Sequence, residues 1–496
     1  MKKIALYLIF TCLSGFLVAQ SVVLDPTFGV NGKRVTGLFG LSGNPYGKDF
    51  TALPDGGIII GGRLNDFVGL EKYDNLGEQD PTFSSCLIES DALEIGIAGQ
   101  KDGKVLMVAE NTIGLSTFAA RLDAFGNLDS SFGNGGIAQT HVSHFLIRSV
   151  FEQADGKVLV FGDEWTSNSS FSAVRLLSNG DLDSSFATNG KLSIDLPNYA
   201  YEVPVAMLEQ ADHKLIFAGS IGYPIWNILL VRVNPDGSLD YTFGKDGIII
   251  DPIHGNSNAY ALALQTDGKI VIAGDTGPDN QAVVVRYKSD GSRDTYFGEQ
   301  GVQYLPEANE GIGIEIMPDG KILSANWTSN ATLGNVALAQ LMPDGQRDIS
   351  FGINGVFRMI DPGMRPRALS LLGNKATMSA RKPAGTTQKQ IFRFLLDLNV
   401  GTLNAYNTAD PEILCYPNPI AEQFTLAFEL PVKEQVSLQL FDMNGKMVQY
   451  FVQNQSFEAG EHKLNLPCPG HLPAGNYILS LDVGGKKMRS VHIVKK

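Results

Sequence analysis

The stretches QTDGKIVIAG, Gln265 to Gly274, and VRYKSDGSRDTYFGEQG, Val285 to Gly301, decide the fold. In the first, Asp267-Gly268 is a hairpin signal, because a tight hairpin turn needs positive φ angles that Asp and Gly tolerate. The apolar run Ile270 to Ala273 that follows reads as a central strand covered on both faces. In the second, a short strand from Val283 to Tyr287 runs into a turn carrying Asp294 and Phe297, and a new strand begins beyond it.

Both signatures recur. The hairpin reads LPDGGIIIGG from Leu53, QKDGKVLMVA from Gln100, QADGKVLVFG from Gln153, QADHKLIFAG from Gln210 and MPDGKILSAN from Met317, with a worn copy, LLGNKATMSA, from Leu371. The turn keeps its Asp at Asp25, Asp80, Asp129, Asp183, Asp240, Asp294 and Asp348. Its aromatic falls at Phe28, Phe83, Phe132, Phe186, Phe243, Phe297 and Phe351. The Asp positions lie 49 to 57 residues apart, and that regularity marks a repeat array.

Each unit offers four short strands, and such a unit cannot bury its own faces, so neighbours must stack. Seven of them match an all-β fold, a seven-bladed β-propeller of four-stranded blades. The rival, an open β-solenoid, predicts shorter periods and end caps, which the sequence lacks. The array opens on the Asp25/Phe28 turn and ends on the strand Ile391 to Leu396, with no such turn after it. If the turn joins two blades, the strand around Gly32 to Phe39 completes the final blade. If the turn lies inside a blade, closure rests on face packing alone.

The seven Phe, each beside a Gly or the Ser84 and Ala187 that replace it, read as a buried ring rather than as ligand stackers. The seven Asp invite a calcium reading. Their oxygen spacing differs between NPDGSLD (Asn234 to Asp240) and LLSNGDLD (Leu176 to Asp183), however, and capping of backbone N–H groups explains them more simply. Arg121, Arg175, Arg232 and Arg286 precede the same turn and would suit a pairing with its Asp, although nothing in the sequence shows one.

The chain has 496 residues, 44% hydrophobic and 18% charged, with a formal charge of -13. This is a folded composition and offers no electrostatic footprint for nucleic acid or an anionic membrane. Residues 1–20, MKKIALYLIFTCLSGFLVAQ, have the basic start, apolar run and small-residue end of a signal peptide, and the run is short for a spanning helix. A lipid anchor at Cys12 fits poorly, since Leu13 and Ser14 still belong to the apolar region; cleavage near Gln20 fits better. Of the remaining cysteines, Cys86 reads as a buried apolar side chain. Cys415 and Cys468 share the last domain and can form a bridge in an oxidising compartment, but sequence cannot place their Cβ atoms.

From Leu24 to about Leu398 the chain resembles the delta-60 repeat family, whose units carry this LDxxFG plus DGK pattern. That resemblance implies extracellular or surface proteins of bacteria and no defined chemistry. After a polar link, 401–411, the pattern changes to short alternating strands at Phe424 to Leu430, Val436 to Phe441 and Tyr477 to Leu481, with a hairpin signal at Asn444-Gly445. Residues 412–496 therefore read as a small β-sandwich. Its YPNP start at Tyr416 to Pro419, FDMNGKMV at Phe441 to Val448, LPAGNYIL at Leu472 to Leu479 and basic end at Lys486 to Lys496 resemble the type A C-terminal sorting domain of the type IX secretion system. The resemblance implies that the type IX machinery is a partner and that residues 21–400 are delivered to the cell surface or the medium.

No catalytic constellation stands out. GxSxG, HExxH and phosphate-loop motifs are absent, no cofactor motif is present, and His141, His144, His213 and His254 have no zinc-ligand spacing. Departures from the repeat are the better guide. Trp165, Tyr223, Trp226 and Trp327 sit among small polar residues after the central strand of three units, a mix that suits a rim for sugar or protein; large anchors closing a blade edge would look the same. Three functions stay open: a non-enzymatic binding or adhesion module for a surface polysaccharide or protein, a secreted polysaccharide hydrolase with an acidic pair in the channel, and a purely structural surface component with no polar-aromatic cluster on either ring face.

Overall fold

The structure is a computed structural model. It describes residues 21–39, 49–398 and 413–495, apart from stretches at 65–66, 85–87, 91–94, 112–115, 143–144, 166–168, 197–198, 200, 223, 278–279, 330–335, 360–363, 382–387, 417–422, 431, 443–446, 471, 474 and 484–485. Residues 1–20 and 401–411, Cys86, His144, Tyr223 and the pair Asn444-Gly445 lie outside the described residues. The chain divides into two compact units, one chiefly the repeat array and one chiefly the tail.

The first unit is a β-propeller of antiparallel four-stranded sheets. In the 257–305 sheet the strands Ser257–Leu264, Ile270–Thr276, Gln281–Tyr287 and Val302–Leu305 pair in chain order. The central strand Ile270–Thr276 is buried along its whole length, as its apolar run requires. The same order holds in sheets spanning 50–89, 95–139, 145–194, 201–251 and 310–359. Single bridges, Ser169↔Tyr201 and Phe39↔Arg63, tie two pairs of neighbouring sheets together.

The turn with Asp and Phe lies inside each sheet, between its third and fourth strands. Closure nevertheless uses a strand: Lys33–Phe39 pairs antiparallel with Gln388–Leu398, Lys33 opposite Phe392 and Arg34 opposite Ile391. Both expectations about closure are therefore corrected together. The first turn follows the short strand Ser21–Leu24, which pairs with Gln388–Leu398, and this last strand of the array stands where the third strand of the sheet stands elsewhere, so Asp25 N–H donates to Arg393 O at 2.8 Å. Apolar clusters then join sheet faces to their neighbours. One unites Val205, Ile216 and Leu230 with Ile270, Ile272 and Val283; another unites Phe28 and Ile391 with Phe50, Ile58 and Tyr73, closing last sheet on first. Each such side chain contributes about 1.5–3 kcal/mol on leaving water.

The repeated residues form one device. Asp240 Oδ1 accepts Thr242 N–H (3.1 Å) and its hydroxyl (2.7 Å), capping the turn, while Oδ2 accepts Arg232 Nε (2.7 Å) and pairs with Lys214 of the hairpin at 3.0 Å. The hairpin Lys and the turn Asp, two separate signatures in sequence, thus meet in space. Arg121, Arg175 and Arg286 make the same bond to Asp129, Asp183 and Asp294 at 2.8 to 3.0 Å. Burial raises Asp240, but hydrogen bonds from Thr242 and Lys214 outweigh it and hold the carboxyl well below its ordinary range. The seven Phe are all buried, and Arg232 lies 4.4 Å over Phe243.

The device also reaches the next sheet. Arg232 Nη1 donates to Ser289 O at 2.5 Å and Gly244 N–H to Asp290 O at 3.0 Å. Gly291, in that neighbouring turn, has φ +89°, and a Cβ there would stand 2.9 Å from the Phe243 ring; only glycine lets the joint close. At the ring seam Arg393 takes the arginine role, 4.2 Å over Phe28 and donating to Asn75 O and Gly56 O at 2.7 Å each.

In the tail unit, Ile413–Tyr416, Gln423–Leu430 and Gly460–Pro467 form one sheet, and Met447–Phe457, Glu434–Asp442, Gly475–Val483 and Lys486–Lys495 form the second. Phe424, Leu426, Phe428 and Leu430 alternate inward on one and meet Val436, Leu438, Leu440 and Leu479 of the other in a single core. Cys468 is a free thiol against that core; the Cys415 side chain lies outside the described residues.

Candidate functional site

The repeat can be aligned on the hairpin Lys. Six residues beyond it stand Glu110, Asp163, Ser220, Asp275, Trp327 and Arg381, a position private to each unit. The structure puts it at the end of each central strand, on the propeller face where the central strand gives way to the third. Five inner strands carry a β-bulge at the same height, and the extra residues are Arg148, Val205, Tyr260, Ile312 and Arg367. A bulge re-aims one side chain, and here it meets the private position: Arg148 Nε donates to Asp163 Oδ1 at 2.8 Å, and the Tyr260 hydroxyl to Asp275 Oδ2 at 2.7 Å.

Three consecutive sheets combine these positions into a polar arc. Asp275 also accepts Asn258 Nδ2 at 2.9 Å. In the next sheet Glu310 stands opposite Trp327 across the ladder. Arg365, from the sheet beyond, forms an ion pair with Glu310 Oε2 and lies 4.9 Å over the Trp327 ring. Arg381 faces Arg365 across its own ladder. Asp49 accepts the Ser379 hydroxyl (2.7 Å) and pairs with Lys389 (3.0 Å), whose Nζ also donates to Gly61 O.

Electrostatics follow from enclosure. Burial pushes Asp275 up, against the donors Tyr260 and Asn258 and the charge of Arg365. Burial likewise raises Glu310, against Arg365, with the charge of Asp275 adding to the rise. Burial lowers Lys389 despite Asp49.

On the same face, burial takes Glu202 up to about 7, although it accepts Leu196 N–H at 2.8 Å; Asp195 adds to the rise. A carboxyl raised on folding costs nothing below its unfolded value of 4.5 and progressively more as pH climbs through 7. Glu202→Gln is therefore expected to raise the thermal midpoint by a few degrees at about pH 8 and to leave it unchanged near pH 4. Equal midpoints at both pH values in a calorimetric scan would refute this.

Of the aromatics singled out from sequence, Trp327 enters the arc. Trp226 starts the strand Trp226–Val233; its backbone N–H donates to Asn256 Oδ1 at 2.9 Å and its ring lies 6.4 Å from the Tyr201 ring. The two tryptophans belong to sheets with the 257–305 sheet between them and have different partners. Trp165 ends the strand Val158–Trp165, and its side chain is outside the described residues. His213 takes a glycine position at φ +63° and bonds Glu209 at 2.9 Å, and the His254 ring lies 5.6 Å from Tyr304. Among the described residues no three His, Cys, Asp or Glu gather as a metal-ligand group, and no helix is long and apolar enough to cross a membrane. Tyr260, Asp275, Glu310, Arg365 and Arg381 were missed from sequence; comparing units at the private position finds Asp275 and Arg381.

Two families match parts of the chain. Residues 414–495 match the secretion system C-terminal sorting domain. Residues 153–186, 210–243, 265–297 and 318–351 match the domain of unknown function (DUF5122) beta-propeller. A search of curated proteins finds no sequence match. Among solved structures, the chain is similar to the PQQ-bound aldose sugar dehydrogenase of Streptomyces coelicolor, at 12% identity over 61% of this chain and 93% of that one, TM-score 0.39. It is similar to an ulvan lyase of a new polysaccharide lyase family, at 10% over 73% and 96%, TM-score 0.46. A third is the exo-beta-1,3-galactanase of Phanerochaete chrysosporium, at 8% over 70% and 94%, TM-score 0.31. At such distances these likenesses say nothing of substrate or reaction. The sorting domain marks the chain for export by the type IX secretion machinery to the cell surface or beyond.

Proposed function

We propose that this protein is a surface-displayed or released binding module whose propeller holds a polysaccharide on the face of Trp327. In this reading residues 1–20 are a signal peptide, residues 21–400 close as a seven-bladed ring of delta-60 type, 401–411 are a link, and 412–496 deliver the ring to the surface. The supporting observation is the arc itself. An indole braced by Arg365, with Glu310, Asp275 and Tyr260 beside it, combines an apolar platform with hydrogen-bonding groups, as sugar recognition requires. The same cluster counts against a purely structural role, which called for none.

A hydrolase is the second reading, favoured by one observation. Asp275 and Glu310 come from neighbouring sheets and each lies within the field of Arg365, and burial pushes both toward their neutral forms; a raised carboxyl suits the general acid of glycoside hydrolysis, whose second carboxyl has to be ionised as base or nucleophile.

Full-length protein tested against immobilised polysaccharides separates the readings. Trp327→Ala is expected to weaken binding about tenfold while leaving the unfolding midpoint near that of the parent. Release of reducing ends that Asp275→Asn abolishes would replace binding by hydrolysis. Failure both to retain and to cleave any polymer of a broad panel would overturn both.

A further inference from the structure

The face that carries Trp327 does not end at the arc. In the 201–251 sheet, Tyr201 stands opposite Gly222 across the ladder, and Gly222 opposite Trp226. Residues directly opposite share a face of the sheet. With glycine between them no side chain separates the two rings, whose centroids lie 6.4 Å apart. Gly222 is two residues beyond Ser220, so the aromatic pair lies on the same side of the sheet as this private position and one step nearer the rim. That side looks toward the next sheet: Ser220 Oγ accepts the Ala259 N–H at 3.0 Å, and Asn256, on the connection to that sheet, accepts the Trp226 backbone N–H. Trp327 holds the private position of its own sheet and likewise meets Arg365 of the next.

One sheet separates the two aromatic places, and it presents Asn258, Tyr260 and Asp275 between them. Packed sheets lie about 10 Å apart, so two such spacings put Trp226 and Trp327 on the order of 20 Å from each other. A single sugar ring cannot reach both. Both indoles and Tyr201 are half-buried rather than enclosed, and Ile225 beside Trp226 is 58% exposed. The second place therefore keeps apolar surface open to water, as a platform for a sugar ring must.

We infer that the ligand is an extended polysaccharide chain, held over several consecutive sugars from Trp327 past Asp275 to Tyr201 and Trp226, and not a chain end or a short oligosaccharide. This rests on the reading of the Trp327 face as a saccharide site. Two linked contacts bind far more tightly than either alone, because the second forms within one complex. The test is titration calorimetry of full-length protein with xylan, β-1,3-glucan, β-1,4-galactan and polygalacturonate, each offered as polymer, hexamer and dimer. For the polysaccharide that binds, the hexamer is expected to bind about a hundredfold more tightly than the dimer. Trp226→Ala is expected to remove most of that gain and to leave the dimer, which Trp327 holds, unchanged; Trp327→Ala weakens both. Tyr201→Ala serves if Trp226→Ala does not fold. Dimers bound as tightly as hexamers overturn the inference and leave the Trp327 site standing. So do hexamers or polymer bound equally by the parent and by the Trp226→Ala and Tyr201→Ala variants. If the parent neither binds nor cleaves any polymer or fragment of the panel, the inference and the site fall together.

Discussion

Arg232→Ala is expected to lower the stability of the propeller by about 3 kcal/mol, at the low end for breaking a buried ion pair. The side chain is almost fully enclosed and has four roles at once: it neutralises Asp240, donates to Thr242 Oγ1 at 3.3 Å, covers Phe243 and donates to Ser289 O in the next sheet. Alanine leaves a buried carboxylate with Lys214 as its remaining cation and an inter-sheet carbonyl without its donor. Lys214 keeps the cost from reaching the upper end of the range. Arg232→Lys is expected to lose less, because the charge survives and only the fork is gone. The repeat contains its own control: Lys72 fills this place beside Asp80 at 3.1 Å, with both side chains about one-fifth exposed. Lys72→Ala is therefore expected to cost under about 1 kcal/mol. Urea unfolding of the three variants checks the order, and equal midpoints for Arg232→Ala and Lys72→Ala would contradict it.

Removing residues 21–39 is expected to abolish the cooperative melt of the propeller. Without Lys33–Phe39, the strand Gln388–Leu398 loses its outer partner, and the loss of Phe28 opens the apolar cluster between last and first sheets. An uncovered strand edge also templates association, so the truncated chain is expected to elute as aggregate on size exclusion. Truncated protein that stays monomeric and melts within a few degrees of the parent would show that face packing alone holds the ring.

Much of this was legible in residues. Asp-Gly hairpins, the recurring Asp and Phe, and alternation in Phe424 to Leu430 report local backbone needs and burial, which are short-range and repeat. The pairing of Arg232 with Asp240, eight residues away, was suspected but not visible, because it depends on the turn folding back. The closing strand was half legible: Gly32 to Phe39 was recognised as its candidate, yet the turn was tied to the wrong alternative. The arc was the least legible part. Asp275, Glu310 and Arg365 come from three units, and only inter-sheet packing brings them within reach of one another. Trp327 stood out as a rare large residue in a polar segment, whereas Tyr260 was hidden because a bulge, invisible in sequence, turns it toward Asp275.

The seam joins the beginning of the repeat array to its end: the Thr36 hydroxyl donates to Lys389 O, 353 residues later. A polypeptide that emerges gradually must therefore hold its opening strand in reserve until nearly all of the repeats have appeared. Molecules cut short at any point along the array have no partner for that strand, so premature termination leaves an open, protease-accessible arc rather than a smaller working protein.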